Sequence, residues 1–73
     1  MIKAEKNPNG YNVLQVIDVI RELSHSQGFY SRIYRNILLM QENDPDSFEV
    51  FREMVESKNF KKPVDVVMFF ECS

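Results

Sequence analysis

Chain breakers are scarce in this sequence, and that limits its fold more than any other feature. Across 73 residues only Gly10 and Gly28, with Pro8, Pro45 and Pro63, interrupt the main chain. A small β-sandwich or barrel needs a turn about every ten residues and cannot be assembled from so few breaks. A handful of helices joined by short connections can.

Hydrophobic spacing supports that choice. Asn7-Pro8-Asn9-Gly10 is dense in turn formers, so residues 1–12 read as a mobile tail and turn, with Asn12 placed to cap a first helix. From 13 to 25, Val13, Val16, Ile17, Val19, Ile20 and Leu23 share one side of a helical wheel. Gln15, Asp18, Arg21, Glu22 and His25 take the other, with Leu14 the apolar exception. A second helix is expected over 27–42. Phe29, Ile33, Ile37 and Met40 form one of its ridges, and Tyr30, Tyr34 and Leu38 the next. Ser31, Arg32, Arg35 and Asn36 lie opposite, with Leu39 among them. Asn43-Asp44-Pro45-Asp46 then breaks and restarts the chain. Asp44 is placed to cap, Pro45 suits the first helical position, and Asp46 and Glu49 favour the positive end of a helix dipole. The third helix, 45–57, should bury Phe48, Phe51, Met54 and Val55, with Val50 at the margin.

The last segment, "PVDVVMFFEC", is ambiguous. As a strand it lines Val64, Val66, Met68, Phe70 and Cys72 along one face, and its residues favour β structure. A lone strand needs a partner, from residues 1–6 or from another subunit. The reading adopted is a helix over 63–71, packed centrally, which makes residues 13–73 one all-α, four-helix domain. The alternative is α+β, with 64–71 as a strand paired either within the chain or between subunits.

Composition narrows the function classes. The chain is 44% hydrophobic, with six Phe and three Tyr, too apolar for a disordered tail. A chain this short leaves much of its surface uncovered and has little stability to spare. Cys72 stands alone, so there is no intrachain disulfide, and "MIKAEKNPNG" carries no apolar run behind its lysines, so no signal peptide is expected. The longest apolar run, 66–70, is too short to span a bilayer. A cytoplasmic location is expected, with no membrane partner.

Catalytic and metal chemistry fare poorly. Ser24 or Ser26 as nucleophile, His25 as base and Glu22 or Asp18 as orienter would need a shaped site that adjacency along the chain does not supply. His25 suits a helix C-terminus, Ser26 a cap and Gly28 a tight junction, so the structural reading is preferred. His25 and Cys72 are the sole residues of their kinds, too few for zinc, and 43–54 lacks the glycine and final glutamate of a calcium loop. No glycine-rich phosphate loop is present. No cofactor, no metal and no enzymatic activity are expected.

Two binding readings remain. Net charge is −2, with nine Lys and Arg against eleven Asp and Glu, which gives no general attraction for nucleic acid. Locally, however, Arg32 and Arg35 share a helix face, and Lys58, Lys61 and Lys62 flank Phe60, a pattern that can hold phosphates and stack a base. Phe60 has an equally good use as the residue that pins the connection to the core. The acidic residues Asp46, Glu49, Glu53 and Glu56 suit the wet side of an amphipathic helix. The second signal is apolar surplus, in the last segment and at Leu39, which favours an interface with a partner protein or a homodimer. The candidate partner surface is therefore Arg32, Arg35, Leu39, Lys58, Phe60, Lys61 and Lys62, with protein interaction preferred to nucleic acid.

"SQGFYSR" at 26–32 and "NFKKPVDVVMFFE" at 59–71 together resemble small uncharacterised proteins of bacterial phage and mobile-element gene sets. The likeness spans roughly 13–72. It departs from that pattern where a second small residue, often glycine, follows the tyrosine; here it is Ser31. The resemblance implies a small helical bacterial protein of accessory role, favours helix for 63–71, and brings no activity or site residue with it.

Overall fold

Every helix but the second begins where a side chain takes up main-chain amides that the first turn leaves without partners. The computed structural model of the chain describes residues 10–71, and residues 1–9 of the expected tail lie outside them, as does Cys72. Four helices are present among the described residues: α1 (Val13–Ser24), α2 (Gly28–Asn43), α3 (Pro45–Ser57) and α4 (Pro63–Glu71). The all-α reading holds, and the strand alternative for 64–71 does not.

Asn12 caps α1 in a reciprocal box: its Oδ1 accepts from the Gln15 N–H at 3.0 Å, and Gln15 Oε1 accepts from the Asn12 N–H at 2.9 Å. A third amide, that of Val13, donates to Glu56 Oε2 at 2.9 Å, so α3 also helps to cap α1. Asp44 serves two helices. Its N–H donates to the Met40 carbonyl to close α2, and its carboxylate accepts from the Ser47 hydroxyl at 2.8 Å to open α3, with Pro45 in the first position. For α4, Asp65 reaches back to accept from the Lys61 and Lys62 amides at 2.8 and 3.2 Å. Gln27, before α2, offers no side-chain cap.

The core runs along α1. Val16 and Ile20 have no exposed surface and Val13 almost none; around them close Tyr30 and Ile37 from α2, Val55 from α3, and Phe60 and Val66. Burying each such aliphatic side chain contributes about 1.5–3 kcal/mol. Helix α1 packs against all three others, whereas α4 packs its backbone on α1 alone. That corrects the expectation of a central α4: only its Val66 stripe faces inward, while Val64 and Met68 point out, 49% and 56% exposed. Phe29, Leu38 and Met54, expected on core ridges, are also exposed. Helix α1 is about 18 Å long, too small a platform to cover a second ridge on each neighbour.

The connection between α3 and α4 is tied to the start of α1. Tyr11 donates its N–H to the Phe60 carbonyl at 2.7 Å, so Tyr11 is held in place, not part of a loose tail. Asn59 has φ 57°, a left-handed conformation that asparagine tolerates well. Gly10 lies so close that a Cβ there would sit 3.0 Å from the Asn59 Cα and on its side-chain amide. The glycine is required by this approach. Gly10→Ala is expected to lower stability by about 1–3 kcal/mol, measured by denaturant unfolding. A change within error would mean that the loop shifts freely.

Candidate functional site

The seven candidate residues fall in two separate places. Arg32, Arg35 and Leu39 lie along the outward face of α2, where Gly28, Ser31, Arg32, Arg35 and Asn36 line an open hollow of about 450 Å³. These positions recur at helical spacing on one helix, so the hollow is the trough between two arginines over small side chains. Among the described residues neither arginine makes an ion pair with a carboxylate. Leu39 continues the line, 50% exposed.

Lys58, Phe60, Lys61 and Lys62 sit at the other end of α1. The Tyr11–Phe60 hydrogen bond holds their loop beside the start of α1, while α2 begins past its end, after the short turn 25–27. The structure therefore does not join the lysines to the arginines. Phe60 is only 6% exposed, its ring packed at 5.6 Å centroid distance on Phe69, so it is not available to stack a base. It pins the loop to the core. Lys58 places its Nζ 5.5 Å from the Phe69 ring centroid, an intramolecular cation–π contact. Lys61 and Lys62 are exposed.

Around this loop Lys58, Asn59, Phe60, Asp65, Met68 and Phe69 line a second open hollow, about 400 Å³, with an aromatic floor and one charge of each sign on its rim. Met68 forms its outer lip, and Val64 stands one turn before it on α4. Neither was named among the sequence candidates. The signal was present in the all-round apolar character of 63–71, but periodicity alone did not say which side would be left uncovered.

The remaining polar groups have structural partners. Ser24 Oγ donates to the Arg21 carbonyl at 2.6 Å and closes the last turn of α1. On α3, Arg52 lies between Glu49 and Glu56, 3.0 Å from Glu56 Oε1, and the Glu49 carboxylate raises the guanidinium above its ordinary range. The acidic stripe is thus partly neutralised from within. Among the described residues no three His, Cys, Asp or Glu side chains converge as a metal site, and no helix is long and apolar enough to cross a membrane.

Tyr30 links α2 to the end of α4. Its buried ring meets Phe29 and Phe70 edge-on, and its hydroxyl donates to Glu71 Oε2 at 3.1 Å. Burial first, and the Glu71 carboxylate second, push its pKa up to about 12.

No protein family, no curated protein and no solved structure matches this chain.

A stability prediction follows from Tyr30. The unfolded chain releases this proton near pH 10 and the folded one near 12, so the contribution is complete below pH 10 and is lost as pH rises towards 12. Folding stability should fall across that window by on the order of 2 kcal/mol, read from denaturant curves at each pH. Tyr30→Phe should flatten the decline, at a cost of about 1 kcal/mol at neutral pH for the lost hydrogen bond.

Proposed function

We propose that this protein is a non-enzymatic interaction module that binds protein through the outer face of α4. One observation carries the reading: a nine-residue helix exposes Val64 and Met68 outward while burying Val66 inward, so it is apolar on both sides. A helix that only had to pack on α1 would carry polar residues there. The adjoining hollow, with Phe60 and Phe69 at its base and Lys58 and Asp65 at its edge, adds concave apolar surface with polar groups to orient a partner. The role is that of a small accessory protein, acting by occlusion or scaffolding, in a bacterial cytoplasmic setting.

The nucleic-acid reading loses two supports. Phe60 is buried, and the lysine cluster lies away from Arg32 and Arg35, which leaves two arginines on a domain of net charge −2. That contact is small for phosphate-driven binding.

Met68→Glu is the discriminating variant, because Met68 is exposed and its replacement leaves the core intact. Tagged wild type, Met68→Glu and the Arg32→Glu/Arg35→Glu double variant would each be used to recover material from bacterial lysate, with and without nuclease. Protein retained at high salt by wild type and by the arginine variant, and lost from Met68→Glu, is the expected result. Material lost on nuclease treatment, or lost only from the arginine variant, would overturn it.

A further inference from the structure

We infer that α4 opens as a separate unit while α1, α2 and α3 stay folded, and that the Tyr30–Glu71 contact is the latch that holds it closed.

The first three helices pack on one another in every pairing, whereas α4 packs its backbone on α1 alone. The backbones of α2 and α4 do not approach each other, so these two helices are joined through side chains. Those side chains centre on Tyr30. Its ring lies edge-on to Phe70, with centroids 6.4 Å apart, and its hydroxyl donates to Glu71 Oε2 at 3.1 Å. The start of α4 is fastened differently, to the loop before it. Asp65 accepts from the Lys61 and Lys62 amides, Phe69 packs on Phe60, and the Phe60 carbonyl is held by Tyr11. One end of α4 is anchored by the loop and the other by Tyr30.

Between those anchors little holds the helix. Val66 is its one fully buried residue, and Val67, Phe69 and Phe70 are half-buried. Glu71 is exposed, so water competes for the carboxylate that Tyr30 needs. Nine residues do not make a stable helix on their own, so a detached α4 unwinds. The other helices keep most of the core without it, since Val13, Val16, Ile20, Tyr30, Ile37 and Val55 all lie on them. An element with few buried contacts opens before the whole domain unfolds.

Opening dissolves the helical face that carries Val64 and Met68, so the latch sets how often that face is presented. This consequence for docking rests on the interaction reading above. The opening itself does not, and it is read on the protein alone.

Native-state amide hydrogen exchange, followed by NMR at low denaturant concentrations, tests the inference on the full chain. Amides 67–70 of α4 should exchange about tenfold or more faster than amides 17–20 of α1, with a weaker dependence on denaturant. Tyr30→Phe and Glu71→Ala should each speed exchange at 67–70 by about fivefold. The double variant should do no more than either single, because both remove the same contact. Ile37→Val lies about two turns along α2 from Tyr30. It should speed 17–20 by about fivefold and leave 67–70 unchanged, because α4 opens without unfolding that part of the core.

A single rate and a single denaturant slope for both sets of amides would overturn the inference. So would Ile37→Val speeding both sets alike. Latch variants that leave 67–70 unchanged, or a double variant whose effect is the product of the two singles, would overturn the role of Tyr30–Glu71. If a latch variant fails to fold by circular dichroism, the wild-type slopes and Ile37→Val decide. Loss of Met68-dependent binding with this exchange pattern intact would end the interaction reading and leave the latch standing. A uniform exchange pattern with binding intact would do the reverse.

Discussion

The first turn of α1 is where the domain is tied together. Asn12 and Gln15 cap it from within, the Glu56 carboxylate caps it from α3, and Tyr11 just ahead of it holds the Phe60 carbonyl. Those bonds converge on one end of a twelve-residue helix and fix the direction of two others. With Phe60 pinned there, α4 must start beside the start of α1, and Tyr30 then meets its far end through Glu71 and Phe70. Helix α4 follows α1 along one face, and its other face is left open. The exposed stripe is thus a consequence of the cap at α1.

What could be read from the residues follows from the range over which each signal acts. Caps and breakers are local, and they placed α3 and α4 at their observed ends: Asp44 and Pro45 act within one turn, and Pro63 cannot continue a preceding helix. Periodicity is also local, and it correctly set Val16, Ile20, Tyr30, Ile37 and Val55 on inward faces. It reports which face of a helix is apolar, but not how much of that face a neighbour covers. Phe29, Leu38 and Met54 lie at the edges of such faces and end up in solvent. The central role given to α4 failed for the same reason, because apolar residues all round a helix fit a wrapped element and a two-sided one equally well. Phe60 was legible as one of two uses, and the tertiary bond from Tyr11 decides between them. Nothing in the order of residues brings Gly10 to Asn59.

The charged residues divide in a way that the net charge conceals. Two acids on α3 have a structural purpose, Glu56 at the α1 amide and Glu49 with Glu56 around Arg52. Lys58 lies over the Phe69 ring at the edge of the second hollow. Among the exposed charges are a pair of arginines on α2, and Lys61, Lys62 and Glu71 at the two ends of α4. The arginines surround small side chains in an open trough, whereas the α4 charges bracket apolar surface. Water competes well for the first arrangement. The second removes apolar area from water when it is covered, which is why the proposed docking is placed on α4.

A short helix gives that face its physical logic. Nine residues are too few for a stable isolated helix, so α4 depends on what it packs against. On one side it has Val66 against the core and the Tyr30–Glu71 bond; on the other it has solvent. In a chain of this size each covered methionine or valine matters to the total, since overall stability is small and much surface remains uncovered. Covering Val64 and Met68 would therefore stabilise the helix that presents them, and α4 would be best ordered when engaged. Binding and folding of this element draw on the same apolar contacts, so any change that loosens the Phe60 anchor should weaken association as well as the fold.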